Sequence, residues 1–178
     1  MKLKANKTRR ILFVDGYNVI NAEHVVRDRA ALEDSRHRLN ERLHDYAAAS
    51  GQEVTLVYDA WLGDRPQRSI EKRDKLTIVY TMKGETADRC IERMCDALSE
   101  DISLRRCEVR VATSDFVEQT VAFGRGAVRI SSRELLLEMQ TEQARHTDSA
   151  QLHQKPRFSV MDRLPEETRR KLEELRRG

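Results

Sequence analysis

The chain lacks the features of disulfide-rich, zinc-ribbon and membrane-spanning proteins. Its 178 residues include only three cysteines, and none of them forms a Cys-x-x-Cys pair, which argues against a disulfide framework or a zinc site. No apolar run reaches the roughly 18 residues that a membrane span needs. The N-terminal segment MKLKANKTRR is basic but has no apolar stretch, so it does not match a secretory signal. We therefore expect reduced thiols and a cytoplasmic setting.

Charged residues, by contrast, make up 35% of the chain, and the two signs are unevenly distributed. Residues 1–10 contain five Lys or Arg and no acid, and residues 155–178 carry a net charge of +3. Because the whole chain has a net charge of +3, residues 11–154 carry −5. An acidic body between basic ends is compatible with a metal-binding centre flanked by phosphate-attracting arms, and also with simple solubilising tails.

Apolar segments alternate in a strand–helix order that predicts one α/β domain. The strand patterns lie at residues 11–15, 53–60, 76–81, 107–115 and 124–131, and the helical patterns lie at residues 28–50, 84–100, 115–123 and 132–145. Near-continuous apolar strands with long crossovers favour a central, mostly parallel sheet flanked by helices.

The remaining segments are predicted to be less regular. Residues 61–75 are interpreted as a polar loop, residues 146–161 as irregular, and residues 164–177 as a separate amphipathic helix. The expected organisation is a basic arm at 1–10, a core domain at 11–145 and a C-terminal extension with a basic helix at 146–178.

Acidic residues stand at the ends of the predicted strands. Asp15, Asp59 and Asp115 close the first, second and fourth strands, and Glu85 and Asp88 open the helix after the third. Strand ends of one kind share an edge in a parallel sheet, so these acids are expected to converge there. Close carboxylates repel each other unless a cation compensates them, and hard oxygen ligands select Mg²⁺ or Mn²⁺. The pattern therefore predicts a metal site that activates water for attack on a phosphodiester.

Each acid also has a purely structural interpretation. Asp15 could begin an Asp-Gly turn, Asp59 could end a strand in a loop, and Asp115 could cap a helix. Glu85 and Asp88 would favour a helix N-terminus through its dipole alone. Asp59 is the weakest of the five candidates.

Other phosphate-handling α/β families fit the sequence less well. A haloacid-dehalogenase-type phosphatase needs Asp-x-Asp, but Tyr17 occupies the second position. The segment ISSRE lacks the lysine expected of a receiver domain, and neither a P-loop nor a dinucleotide-binding glycine pattern is present in the sequence. The five histidines are scattered without ligand spacing.

Five segments in order resemble the YacP-like branch of the NYN domains, in the PIN-like nuclease superfamily: ILFVDGYNVI, VYDA, GETADRCIER, VATSD and GAVRISSREL. The resemblance spans roughly residues 10–142, and the ending RLPEETRRKLEELRRG is also typical of that branch. It implies a PIN-like three-layer sandwich with a C-terminal helical extension. It further implies Mg²⁺- or Mn²⁺-dependent cleavage of RNA, and a link to messenger RNA cleavage on the ribosome.

The resemblance also assigns roles to residues. It implies that Asp15, Asp88 and Asp115 hold the metal, that Glu85 joins them, and that Asp59 is a weaker candidate. The amide of Asn18 is expected to orient Asp15 or a substrate phosphate, and a structural role in a turn is an equal alternative.

The resulting hypothesis is an endoribonuclease that leaves a 5′-phosphate and a 3′-hydroxyl. Because aromatic residues make up only 5% of the chain, phosphate contacts are expected to dominate RNA binding over base stacking. The predicted contacts are Ser114, Lys83, Arg65, Arg68 and Arg73, and the alternative for the basic residues among them is an ordinary solvated loop. The alternative function is a non-catalytic RNA- or ribosome-binding module with the same fold.

Overall fold

The computed structural model describes residues 8–26, 28–59, 67–100, 107–113 and 127–154. These ranges contain six strands and four helices. In chain order they are β1 (Arg10–Asp15), α1 (Gly16–Glu23), α2 (Arg29–Ser50), β2 (Glu53–Tyr58), β3 (Ser69–Arg73), β4 (Leu76–Tyr80), α3 (Ala87–Glu100), β5 (Glu108–Ala112), β6 (Val128–Ile130) and α4 (Ser132–Gln154).

The six strands form one sheet in the order β3-β4-β2-β1-β5-β6. Every neighbouring pair is parallel except β3 and β4, which are antiparallel. The end of the sheet at which β1, β2, β4 and β5 finish is called here the carboxyl edge. The predicted α/β fold with a central, mostly parallel sheet is therefore confirmed.

Helices cover both faces of this sheet and make three layers, as predicted. Leu12 and Val14 of β1 belong to a core shared with α1, α2 and α4. Ile11 and Phe13 belong to a second core shared with α3. Successive side chains of a strand point to opposite faces, so a strand buried on both faces reads as the continuous apolar run seen in the sequence.

The predicted loop at 61–75 is wrong over β3. None of the five residues of β3 is buried, so the segment lacks the apolar signal of a core strand. Its backbone pairs with β4 from Ser69 opposite Tyr80 to Arg73 opposite Leu76. Polar and charged side chains are common on such edge strands, because they discourage pairing with other chains.

The helix boundaries also differ from the sequence prediction. The short helix α1 is not predicted, and α3 begins at Ala87 rather than near Gly84. The irregular segment predicted at 146–161 is wrong over residues 146–154, because α4 continues to Gln154. No glycine or proline interrupts α4 between its start and Pro156.

One further prediction about a helix is confirmed, and two others concern residues that the structure does not describe. Helix α2 ends as predicted at Gly51, which adopts a left-handed conformation with φ 72°. The helices predicted at 115–123 and 164–177 lie outside the described residues.

Residue contacts divide the chain into one unit at Met1–Ala144 and another at Arg145–Gly178. The described part of the second unit ends at residue 154. No helix in the described ranges is both long enough and apolar enough to cross a membrane.

Candidate active site

Two of the predicted acids lie side by side at the carboxyl edge. Asp15 is the last residue of β1 and pairs in register with Val57, two positions before Asp59. By the alternation of strand side chains, Asp15 continues the face of Phe13, and Asp59 continues the face of Val57. Both of those apolar residues belong to the core under α3. The two carboxylates therefore extend the same face of adjacent central strands.

Burial and the neighbouring charge both disfavour the ionised form of Asp15. The residue is 6% exposed. Its pKa is raised from 3.8 to about 6, first by burial and further by the negative charge of Asp59, while hydrogen bonds from Asn18 act in the opposite direction. A carboxylate with this pKa is still ionised at neutral pH, but its charge is held at a cost.

Asn18 fixes the orientation of Asp15. Its backbone N–H donates to Oδ1 of Asp15 at 3.0 Å, and its side-chain Nδ2 donates to Oδ2 at 2.9 Å. The first of these bonds is the N-cap of α1. The same Nδ2 is 3.3 Å from Oγ1 of Thr113, just beyond the end of β5. Asn18 thus ties β1 to β5 at the carboxyl edge.

A tyrosine cluster packs beneath this junction. The buried ring of Tyr58 lies 5.3 Å from the ring of Tyr17 and 5.5 Å from that of Tyr80. Its hydroxyl donates to Oδ1 of Asn40 on α2 at 2.9 Å. A Cβ added to Gly16 would lie only 2.2 Å from Cε1 of Tyr58. Glycine therefore lets the chain turn from β1 into α1 directly against this ring.

Glu85 lies in a different environment from the one predicted. It precedes α3, because Met82–Glu85 form a turn in which the N–H of Glu85 donates to the carbonyl of Met82 at 3.0 Å. Only Asp88 therefore lies in the helix, whereas the sequence predicted that Glu85 and Asp88 both open it. The Oε1 of Glu85 accepts a 2.5 Å hydrogen bond from Arg68 and forms an ion pair with Arg93.

The other predicted residues are distributed more widely. Asp88 is half-buried in the first turn of α3, which starts at the carboxyl edge, and Lys83 is exposed in the turn before it. Three predicted residues lie outside the described residues: Asp115, Ser114 and Arg65.

Arg73 lies away from the acidic pair. It pairs with Leu76 at the beginning of β4, which is the opposite edge of the sheet. There it forms ion pairs with Glu41 at 2.9 Å and Glu71 at 2.7 Å. Sequence reasoning placed it with Arg68 because it treated both as members of one loop.

Two contributing residues were not identified from the sequence. Thr113 was not among the predicted site residues, although its place after the alternating Val109 and Val111 puts it on the same face as Val111. Arg93 is eight residues from Glu85, a spacing that the usual i, i+4 rule for helices does not connect.

The donor set at the carboxyl edge suits a hard divalent cation. Within the described ranges no group of three or more His, Cys, Asp or Glu is close enough to hold a metal ion. The carboxylates of Asp15 and Asp59 are nevertheless oxygen ligands of the kind that Mg²⁺ and Mn²⁺ prefer. The raised pKa of Asp15 reflects a cost that a bound cation would relieve.

The match to known proteins covers nearly the whole chain. Residues 12–177 match the family model of the YacP-like NYN domain. The uncharacterized protein YacP of Bacillus subtilis (strain 168) is 35% identical over 175 residues, which cover 94% of this chain and 97% of that protein.

Solved structures agree with this match. The crystal structure of Rae1 (YacP) from Bacillus subtilis has a TM-score of 0.67 at 32% identity, covering 94% of this chain and 95% of that one. A tryptophan-to-leucine mutant of the same protein gives 0.66 at 30% identity, covering 93% and 99%. The chain therefore belongs to the YacP-like NYN domain family, whose fold is nuclease-like.

Proposed function

We propose that this protein is a metal-dependent endoribonuclease of the cytoplasm that hydrolyses phosphodiester bonds in messenger RNA, with the ribosome as a scaffold for its substrate. The observation that carries the proposal is the pair formed by Asp15 and Asp59, in which the pKa of Asp15 is raised first by burial and further by the charge of Asp59. This pair lies at the edge where open α/β sheets place their chemistry. Membership in a nuclease-like family supports the same reaction class.

Asp15, Asp88 and Asp115 would hold the Mg²⁺ or Mn²⁺ ion, with Asp59 beside Asp15. When bound, the ion would neutralise these carboxylates and lower the pKa of a water molecule that attacks the phosphorus. Glu85 is predicted as a further ligand, but its Oε1 is engaged by two arginines.

The residues around Asp15 would keep the site ready for substrate. Asn18 holds both oxygens of Asp15, and Thr113 holds Asn18. A carboxylate fixed in this way need not reorganise when RNA arrives, which is the advantage of a preorganised site. At the same edge, Arg68 and Lys83 would contact phosphates of the RNA backbone, and Ser114 and Arg65 are proposed for the same role.

The test is cleavage of labelled RNA with Mn²⁺, Mg²⁺ or chelator, on free RNA and on translating ribosome complexes. We expect the wild type to leave 5′-phosphate and 3′-hydroxyl ends. Asp15→Asn and Asp88→Asn should each reduce the rate by about 100-fold or more while RNA binding persists. Asparagine is also a good N-cap, so Asp15→Asn removes the charge without removing the cap of α1.

If the wild type cleaves neither substrate, and it and both variants bind RNA equally, the protein is a binding module and the proposal fails.

A further inference from the structure

A buried carboxylate holds two arginines together beside the acidic pair. The side chain of Glu85 is 6% exposed, whereas those of Arg68 and Arg93 are 33% and 56% exposed. Arg68 immediately precedes β3, and Arg93 lies in the second turn of α3. Both arginines use Nη2 to contact the same oxygen, Oε1 of Glu85. One carboxylate faces two guanidinium groups, so the cluster keeps one positive charge near solvent.

Backbone contacts place this cluster at the carboxyl edge. The N–H of Thr81 donates to the carbonyl of Tyr58 at 3.0 Å, directly before Asp59. The hydroxyl of Thr81 in turn donates to the carbonyl of Glu85 at 2.8 Å. Thr81 thereby connects the chain at Asp59 to the chain at Glu85.

The strand register supports the same placement. Ser69, the residue after Arg68, pairs with Tyr80, the last residue of β4. Arg68 therefore lies at the carboxyl edge, where β4 finishes.

Two guanidinium groups fixed in this way are suited to a phosphate. Arginine has five N–H donors in a planar fork and binds phosphate through two of them at once. The contact with Glu85 involves one nitrogen of each arginine. Holding the side chains in place beforehand also reduces the conformational entropy that binding would otherwise cost.

We propose that Arg68 and Arg93, positioned by Glu85, bind a backbone phosphate of the RNA next to the one that is cleaved. This inference rests on the proposed function, because it takes RNA as the ligand. It makes Arg68 and Arg93 binding residues and Glu85 a positioning residue instead of a metal ligand. The second oxygen of Glu85, Oε2, is buried without a hydrogen-bond partner in the described ranges, so the metal-ligand alternative is included in the test.

The first measurement is the affinity for a single-stranded RNA oligonucleotide in chelator, where no metal-dependent cleavage occurs, over a series of salt concentrations. We expect Arg68→Ala and Arg93→Ala each to weaken binding about 10-fold. The slope of log affinity against log salt should become shallower by about 0.7, the value for one phosphate on a single strand. Arg73→Ala is the matched control, since the side chain of Arg73 is about as exposed as that of Arg68 but lies at the opposite edge of the sheet.

The second measurement is Mn²⁺ affinity by calorimetry in the absence of RNA. We expect Glu85→Gln to weaken RNA binding and to bind Mn²⁺ with the affinity of the wild type. Asp15→Asn should lose its affinity for Mn²⁺. If Glu85→Gln loses its affinity for Mn²⁺ but binds RNA like the wild type, the inference is wrong and Glu85 is a metal ligand.

These outcomes separate the inference from the proposed function. If the wild type cleaves RNA but Arg68→Ala and Arg93→Ala bind like Arg73→Ala, the phosphate site is wrong and the nuclease proposal stands. If the two variants lose RNA affinity as expected but the wild type never cleaves, the phosphate site stands and the nuclease proposal fails.

Discussion

Asn18 satisfies both carboxylate oxygens of Asp15, one through its backbone N–H at 3.0 Å and the other through its side-chain Nδ2 at 2.9 Å. The start of α1 and the orientation of the candidate metal ligand therefore depend on the same residue. A change of its side chain alone separates these two effects.

Asn18→Ala should lower the rate of RNA cleavage about 10-fold while the protein remains folded. The variant keeps the backbone bond to Oδ1 but loses the side-chain donor, so Asp15 is less well oriented and its pKa rises further. Cleavage rates and an NMR titration of the Asp15 carboxyl check this expectation. Asn21→Ala, at an exposed position of α1, is the control and should behave as wild type.

Ionisation of Asp15 should destabilise the folded protein. Its pKa is raised from 3.8 to about 6, so the folded state holds the proton more tightly than the unfolded state. Protonated Asp15 therefore stabilises the folded state relative to the unfolded state. This stabilisation is fully present below pH 3.8 and is lost as the pH rises through about 6. Its size is on the order of 3 kcal/mol.

The comparison of wild type with Asp15→Asn isolates this contribution from other carboxylates. The difference in their free energies of unfolding, measured in urea from pH 4 to 8, should move against the wild type as the pH rises. A difference that stays constant over this range would show that the pKa of Asp15 is not raised.

A bound divalent ion should remove the cost of ionising Asp15. Mn²⁺ is therefore expected to raise the melting temperature of the wild type more at pH 7.5 than at pH 5, where protons compete for the carboxylate. Addition of chelator should reverse the shift. Differential scanning fluorimetry measures both effects, and Asp15→Asn should show little response to Mn²⁺ at either pH.

Gly16→Ala should destabilise the fold by about 1–3 kcal/mol and reduce cleavage. The new methyl group would meet the buried ring of Tyr58 at 2.2 Å, and the ring cannot retreat because it packs between Tyr17 and Tyr80. Urea unfolding measures the loss of stability.

Gly84→Ala provides the comparison for this variant. Gly84 has a φ of +83° but open space around its Cβ position, so its cost should come from backbone strain alone, at about 1 kcal/mol. Equal losses in the two variants would argue against the steric explanation at Gly16.

The sequence was sufficient for features that depend on local apolar pattern. The runs at β1 and β2 are buried on both faces, and Gly51 ends α2 as predicted. It was insufficient where tertiary contacts override propensity. Gly16, Tyr17 and Asn18 are weak helix formers, yet α1 forms because Asp15 caps it and its apolar side chains are buried.

The candidate site also has some features that the sequence predicts and others that it does not. The convergence of Asp15 and Asp59 follows from parallel pairing, which the crossover lengths predict. The separation of Arg73 from Arg68 could not be predicted from the sequence, because it results from an antiparallel edge strand without an apolar pattern. The contact of Arg93 with Glu85 depends on where α3 begins, and helix starts are poorly defined by sequence pattern alone.

The central position of β1 has a consequence for heat inactivation. This strand is hydrogen-bonded to β2 on one side and β5 on the other, and its residues 11–15 are buried. Amides in such strands exchange with deuterium only when the whole domain opens. The amides of the backbone that carries Asp15 should therefore be among the slowest to exchange, and the proposed RNA cleavage should be lost on warming together with global unfolding instead of ahead of it.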